Sequence, residues 1–415
     1  MKIGIVTVWF ERGAGYVSQQ YKKVLEQEHD VFIYARGGEY FAKNDIHWDN
    51  EKITWDNYSY FRVPTFLNLK KFKKWILDNE LEIVFFNEQH WWTPVLLCNQ
   101  LGIKTGSYID YYTKETVPFF KSYDFLICNT ERHYEVFSWH PQCFFIPWGT
   151  DVDIFKPQIT ASDNANEIRF FHSAGFNPYR KGTDFLIKAF DKINTLNARL
   201  IIHTQVDLKI YFPELDSIIE KLIQSNKLEI LTKTVTAPGL YHLGNIYVYP
   251  SRLDGIGLTM SEALACGLPL IASDCPPMNE FIVEEENGKL VSIESYGMRK
   301  DGYYWPECYP SVDSLKEAMI FYIENADKIE TYQQNARTYA VNNLNWMENA
   351  KVIGEIFQSV KIIENKDLES INRFENDRFF YKKRTSLKLV WFVFYKIKPH
   401  VKKVIRATKS IWKFK

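Results

Sequence analysis

The segment "YPSRLDGIGLTMSEALACGLPLIAS", residues 249–273, leaves an apolar strand, crosses a glycine-punctuated loop and enters a short helix. A Gly-Leu-Pro turn then leads into another apolar strand. Strand, loop, helix and strand in such quick succession is the grammar of a βαβ unit in a parallel sheet. Asp254 and Glu262 lie eight positions apart across the loop. Gly255 and Gly257 permit close backbone approach. The N–H groups of Ile256, Gly257, Leu258 and Thr259 fall where a helix N-terminus carries partial positive charge. The acids could simply cap that terminus. Alternatively they flank an anion cradle, each gripping hydroxyls of a separate sugar through charge-assisted hydrogen bonds worth roughly 1.5–3 kcal/mol apiece.

The same grammar extends in both directions. Before the segment stand "EIRFFHSAG", "ARLIIHT" and "LEILTKT", and after it "GKLVSI". The first part of the chain repeats the pattern with "KIGIVTV", "DVFIYA", "EIVFFN", "KTGSYI", "FLICNT" and "CFFIPW". Helical patterns such as "SQQYKKVLEQE" and "NLKKFKKWILDNE" lie between them. Several strands are apolar on consecutive positions, as expected where helices cover both faces of a sheet. The stretch 147–167 is rich in Pro, Asp, Asn and Thr and reads as a linker. The expected architecture is α/β: two Rossmann-like, doubly wound parallel-sheet domains facing a central cleft. They are placed at residues 1–150 and 151–365, with "WMENAKVIGEIFQSVKII" closing the second domain and a tail at 366–415.

Composition narrows the class. The 415 residues are 46% hydrophobic and 25% charged, and the six cysteines include no C-x-x-C pair. That argues against zinc and against a disulfide framework, and it suits a reducing cytoplasm. "MKIGIVTVWF" runs straight into a strand pattern, so no signal peptide is expected. Net charge is zero, yet residues 378–415 hold 13 Lys or Arg and no acid, leaving 38 basic against 51 acidic residues in the rest. In the tail Val401, Val404, Ile405, Thr408, Ile411 and Trp412 share one helical face, opposite Lys402, Lys403, Arg406, Lys409 and Lys413. A basic amphipathic helix of this kind suits an anionic membrane surface. Packing back on the body is the other reading. Nucleic acid is not expected, because the body is acidic and carries no recognition module.

Residues 250–273 resemble the E-x7-E segment of GT-B glycosyltransferases, in particular the large retaining family 4, also described as glycosyl transferases group 1. Glu262 matches the second glutamate; Asp254 stands for the first, one methylene shorter, and Thr259 replaces a usual proline. "FIPWGTDVDIFKP" (145–157) is similar to the family's interdomain segment, and "SAGFNPYRKGTDFLIKAF" (173–190) to the stretch whose Arg and Lys neutralise a donor diphosphate. Lys181 matches that lysine. Phe176 occupies the usual arginine position, and Arg180 is expected to supply the second charge. "ERGAGYVSQQY" (11–21) resembles the glycine-rich loop facing the donor phosphates, with Gly13 and Gly15, and "CPPMNEFIVEEENGKLVSI" (275–293) the closing P-E…N-G pattern, with Glu280.

The resemblance implies transfer of a sugar from a UDP- or GDP-sugar to a saccharide or lipid-linked acceptor, with retention and without a metal or other cofactor. It implies donor binding by Gly13, Gly15, Arg180, Lys181, the 256–259 amides and Glu262, with Glu262 on the ribose. Asp254 then serves the donor sugar. Asp110 in "SYIDYYT" stands where many relatives carry a histidine near the reacting centre, with His90 in "NEQHWWTP" the alternative. The tail adds an expectation of peripheral association with the inner face of a membrane and a role in polysaccharide or glycolipid assembly. Competing readings are a non-catalytic scaffold of the same fold and a Rossmann oxidoreductase or epimerase. The latter is disfavoured because no G-x-G-x-x-G follows the first strand.

Overall fold

A computed structural model describes residues 1–36, 42–56, 65–158, 167–195 and 197–383, with side chains up to 376. The amphipathic pattern at 401–413 lies outside these residues. Seven strands form the first sheet: β1 (Lys2–Val8), β2 (Asp30–Arg36), β3 (Ile53–Trp55), β4 (Ile83–Asn87), β5 (Lys104–Tyr108), β6 (Phe125–Cys128) and β7 (Cys143–Phe145). Six form the second: β8 (Ile168–Gly175), β9 (Ala198–Thr204), β10 (Leu228–Thr232), β11 (Ile246–Tyr249), β12 (Leu270–Ser273) and β13 (Gly288–Val291). Every pairing in both is parallel. All residues of β4 and β12 are buried, as their unbroken apolar runs require.

The strand orders are β3-β2-β1-β4-β5-β6-β7 and β10-β9-β8-β11-β12-β13. In each, the order reverses beside the first strand, between β1 and β4 and between β8 and β11. The loops leaving the carboxyl ends of those strands diverge there and open a crevice, the usual ligand position in such sheets. The expected two-domain α/β architecture is therefore the observed one. The sequence patterns did not reveal an antiparallel hairpin, β14 (Ile293–Gly297) and β15 (Glu307–Pro310), which follows the second sheet.

The chain crosses between domains twice, side by side. Thr150 N–H donates to the Leu344 carbonyl at 2.8 Å and Trp346 N–H to the Thr150 carbonyl at 3.0 Å. Past that point the structure corrects the sequence reading: "WMENAKVIGEIFQSVKII" packs into the first domain. Trp346, Ile353, Ile356 and Phe357 belong to the first domain's core. Trp346 lies against Trp148 and Tyr21, with centroids at 4.4 and 5.4 Å, and Phe357 against Phe85 and Phe125, at 5.3 and 4.9 Å. An apolar helix face seeks the nearest uncovered apolar surface, and here that surface belongs to the sheet the chain left two hundred residues earlier.

The following segment is anchored there too. Lys366 Nζ lies 2.7 Å from Asp124 Oδ1 and both side chains are almost fully buried. Asp124 also accepts from the Thr105 and Ile363 amides, each at 2.8 Å. The helix Leu368–Lys383 continues along the first domain, where Glu375 Oε1 accepts from the Trp92 amide at 3.1 Å. Removing one partner of a buried pair leaves an uncompensated charge, at a cost of about 3–5 kcal/mol. Lys366→Met is expected to lower stability to urea by that order, and an unchanged midpoint would show that this return segment is not held by the pair.

Candidate active site

The loop after β11 and the loop after β8 are bound to each other before any ligand arrives. Arg252 donates to both oxygens of Asp184 at 2.7 Å and lies between the rings of Tyr179 and Phe185, at 3.9 and 4.1 Å. Gly182 has φ +71°, and a Cβ there would overlap the Pro250 carbonyl, so only glycine lets the chain turn this tightly beside β11. The turn brings Arg180 and Lys181 over the second loop.

Asp254 receives them. Its Oδ2 lies 2.7 Å from Lys181 Nζ and 3.6 Å from Arg180 Nη1, and accepts the Tyr249 hydroxyl. Its Oδ1 accepts from the Gly255 and Gly257 amides at 2.8 and 3.2 Å. Burial works against the carboxylate, but Lys181 and Arg180 outweigh it and hold Asp254 well below the usual range. Burial lowers Lys181 to about 8 against the pull of Asp254. The acid thus caps the loop's own amides, as the simpler sequence reading allowed, and also neutralises one of two adjacent cations.

Glu262 lies in the helix Leu258–Ala265. Its Oε2 accepts the Tyr241 hydroxyl at 2.5 Å. Burial pushes Glu262 up to about 7, opposed by the Tyr241 hydrogen bond and by Lys181. Gly257, with φ +70°, starts this helix. The side chains of Ile256 and Leu258 pack against the first domain's core. Leu258 Cδ1 is 3.7 Å from where a Cβ on Gly13 would sit, so the N-terminal ends of the helices Gly13–Leu25 and Leu258–Ala265 meet across the cleft. Gly15 is closed against the Phe10 carbonyl, where a Cβ would not fit. Thr259 lies in the first helical turn, its hydroxyl buried.

Asp110 follows β5 and sits on the opposite wall, touching the same loop. A Cβ on Gly255 would be 2.8 Å from Asp110 Oδ1, which explains a glycine at that position. Burial, then the nearby charge of Glu88, raises Asp110 well above the usual carboxylate range. Glu88 has φ +53°, and Arg36 fixes this turn by donating to the Asn87 and Glu88 carbonyls at 2.7 and 3.0 Å. His90 is less central. Its ring lies 4.5 Å from that of Tyr111, which stacks on Tyr303 at 5.2 Å.

Tyr303 belongs to the strap between β14 and β15, which lies on the first domain. Tyr304 N–H donates to the Tyr112 carbonyl at 2.9 Å, Trp305 Nε1 to the Tyr112 hydroxyl at 2.6 Å and Tyr111 Oη to the Asp301 carbonyl at 2.9 Å. The structure thus brings Lys181, Arg180, Asp254 and the 255–259 loop together, with Glu262 beside them and Gly13, Gly15 and Asp110 across the cleft. Sequence reasoning passed over Tyr249, Tyr241, Glu88 and the strap. The tyrosines read as core aromatics, and Glu88 had no motif around it. A surface depression around Lys2, His29 and Glu80 lies at the amino ends of the first sheet's strands, away from this crevice.

Residues 167–297 match the family described as Glycosyl transferases group 1. Among curated proteins, an uncharacterized glycosyltransferase of Methanocaldococcus jannaschii is 28% identical over 200 residues, 45% of this chain and 47% of that protein. The chain spans about half the length of the curated relatives it matches. Among solved structures, sucrose-phosphate synthase from Thermosynechococcus elongatus superposes with TM-score 0.66 at 18% identity, covering 86% of this chain and 98% of its own. Anabaena HepE in complex with UDP and glucose gives 0.64 at 16% identity, covering 87% and 100%. The chain has the two-domain GT-B fold of these solved structures, and residues 167–297, in its second domain, are similar to the glycosyl transferases group 1 family.

Proposed function

We propose that this protein transfers a sugar from a nucleoside diphosphate sugar, UDP- or GDP-linked, to a hydroxyl of a saccharide or lipid-linked acceptor with retention of configuration. One observation carries the reading. Two adjacent cations, Lys181 and Arg180, stand over a glycine-rich helix N-terminus at the switch point of the second sheet, and Gly13 of the first domain lies against Leu258 of that helix.

In the reaction the C1–O bond to the diphosphate breaks and a C1–O bond to the acceptor forms, while the acceptor's proton passes to a leaving phosphate oxygen. Lys181, Arg180 and the loop amides meet the charge that develops on the diphosphate, a role that makes a metal unnecessary. Glu262 anchors the ribose. As the diphosphate engages Lys181, Asp254 Oδ2 is released toward the donor sugar. Asp110, against Gly255 on the opposite wall, orients a hydroxyl of the reacting sugars. The basic tail, residues 378–415, holds the protein on an anionic membrane at its inner face, which fits a lipid-linked acceptor and a place in polysaccharide or glycolipid assembly.

Incubation with a panel of nucleotide sugars, together with melting curves in UDP and GDP, tests the reading. Consumption of one donor and a raised melting temperature are expected. If no donor is consumed and neither nucleotide stabilises, the protein is a scaffold of this fold. Lys181→Ala and Glu262→Ala should each lose activity on the order of a hundredfold with the fold kept. Deleting 378–415 should release the protein from anionic vesicles.

The two titrating groups set a pH window. Glu262 is ionised above about 7 and Lys181 is protonated below about 8. Donor capture needs both charges, so kcat/KM should be bell-shaped with limbs near those values, since this profile reports the free protein's groups. Glu262→Gln should remove the acid limb. A profile unchanged by that substitution would exclude Glu262 as the group responsible.

A further inference from the structure

Two contacts run in opposite directions between the closed domains. From the first, Arg132 of the helix Glu131–Phe137 reaches into the second and is only 2% exposed. Its Nη1 donates to the Pro276 carbonyl at 2.7 Å, and its Nη2 donates to the Asp254 carbonyl and, at 3.3 Å, to the Tyr303 hydroxyl. The Trp305 ring lies 5.4 Å from the guanidinium. From the second domain, Glu280 reaches back. Its two oxygens accept from the Glu131 and Arg132 amides at 2.8 and 3.1 Å. Those amides open a helix and have no acceptor within it. Each domain therefore supplies a group that the other needs.

The direction of the Arg132 contacts is informative. Burying a guanidinium is costly, and both Nη groups are aimed at backbone carbonyls rather than at a carboxylate. A planar fork fixes the directions of the carbonyls it binds, which an apolar residue or a lysine cannot do. One of those carbonyls belongs to Asp254. The Asp254 C=O and the Gly255 N–H are parts of one planar peptide unit and point in opposite directions. Holding the oxygen on one side therefore aims the N–H to the other, where in this state it meets Asp254 Oδ1 at 2.8 Å. That amide belongs to the loop that carries Lys181's partner and opens the Leu258–Ala265 helix.

We propose that Arg132 is a positioning residue for the transfer reaction, a role that rests on the function proposed above. It orients the Asp254–Gly255 peptide from the opposite domain, so the donor loop is set only when the domains are closed. Glu280, by capping the helix that carries Arg132, is the second half of the same latch. The device makes donor alignment conditional on domain closure and excludes half-assembled sites from reaction.

Steady-state kinetics and nucleotide titrations on Arg132→Ala, Arg132→Lys and Glu280→Gln test this. Misalignment of a reacting group by about 1 Å costs on the order of a hundredfold, and kcat should fall by that order in both Arg132 variants while affinity for UDP or GDP changes little. Arg132→Lys keeps the charge and the burial, so it separates fork geometry from folding. Added guanidinium should restore turnover to Arg132→Ala and not to Lys181→Ala. Near-normal kcat in Arg132→Lys would overturn the proposal, as would a loss in Arg132→Ala that guanidinium does not rescue. Amide exchange supplies a readout independent of catalysis. Should the unsubstituted protein consume no donor, the transferase reading falls and exchange decides the latch alone. Faster exchange over 251–258 in Arg132→Lys and over 130–134 in Glu280→Gln supports it; unchanged exchange in both refutes it.

Discussion

A buried carboxylate held by two cations, a phenol and two amides is the constraint around which the cleft is built. Asp254 ties the turn after β8, through Arg180 and Lys181, to the end of β11, through Tyr249, and to the start of the next helix. Such a group is tolerable only because every lone pair is engaged and positive charge surrounds it. Between them, Lys181 and Arg180 outweigh the single charge of Asp254. Its length matters as well. Asp254 folds back onto the amides one and three residues ahead. A glutamate is one methylene longer, and its carboxylate would extend further from its own backbone.

Domain closure follows from contacts of a different kind. Ile256 buries its side chain in the first domain's core and the half-buried Leu258 packs against it, so apolar packing holds the 255–259 loop to the first domain. The aromatic strap adds Tyr303, Tyr304 and Trp305 against Tyr111 and Tyr112, joining rigid rings whose polar tips find partners on the other domain. The return of Trp346 and Phe357 to the first core makes the crossing double, and a double crossing permits fewer relative motions than a single linker.

Much of this was legible in the chain. Consecutive apolar runs in β4 and β12 marked buried parallel strands, because a strand covered on both faces has no polar side to show. Gly255 and Gly257 marked a tight turn into a helix, because glycines permit close backbone approach and, at Gly257, the positive φ that starts it. Lys181 was found through the resemblance of residues 173–190 to a family stretch that carries a lysine at that position. Arg132, Glu88 and Tyr249 were not legible. Their meaning comes from neighbours more than a hundred residues away for Arg132, and for Glu88 and Tyr249 from a side chain that no spacing pattern brings close.

The sequence by itself therefore determined the two doubly wound domains, their order and the loop that faces the cleft, since these follow from local periodicity and turn chemistry. Tertiary structure decided which domain the chain from Trp346 onward would join, what Asp254 holds, and that Asp110 would stand beside Glu88 and against Gly255. Those outcomes depend on which surfaces and charges meet once the chain is folded. Apolar burial and buried electrostatics act between neighbours in space, and adjacency in space is what a linear pattern does not encode.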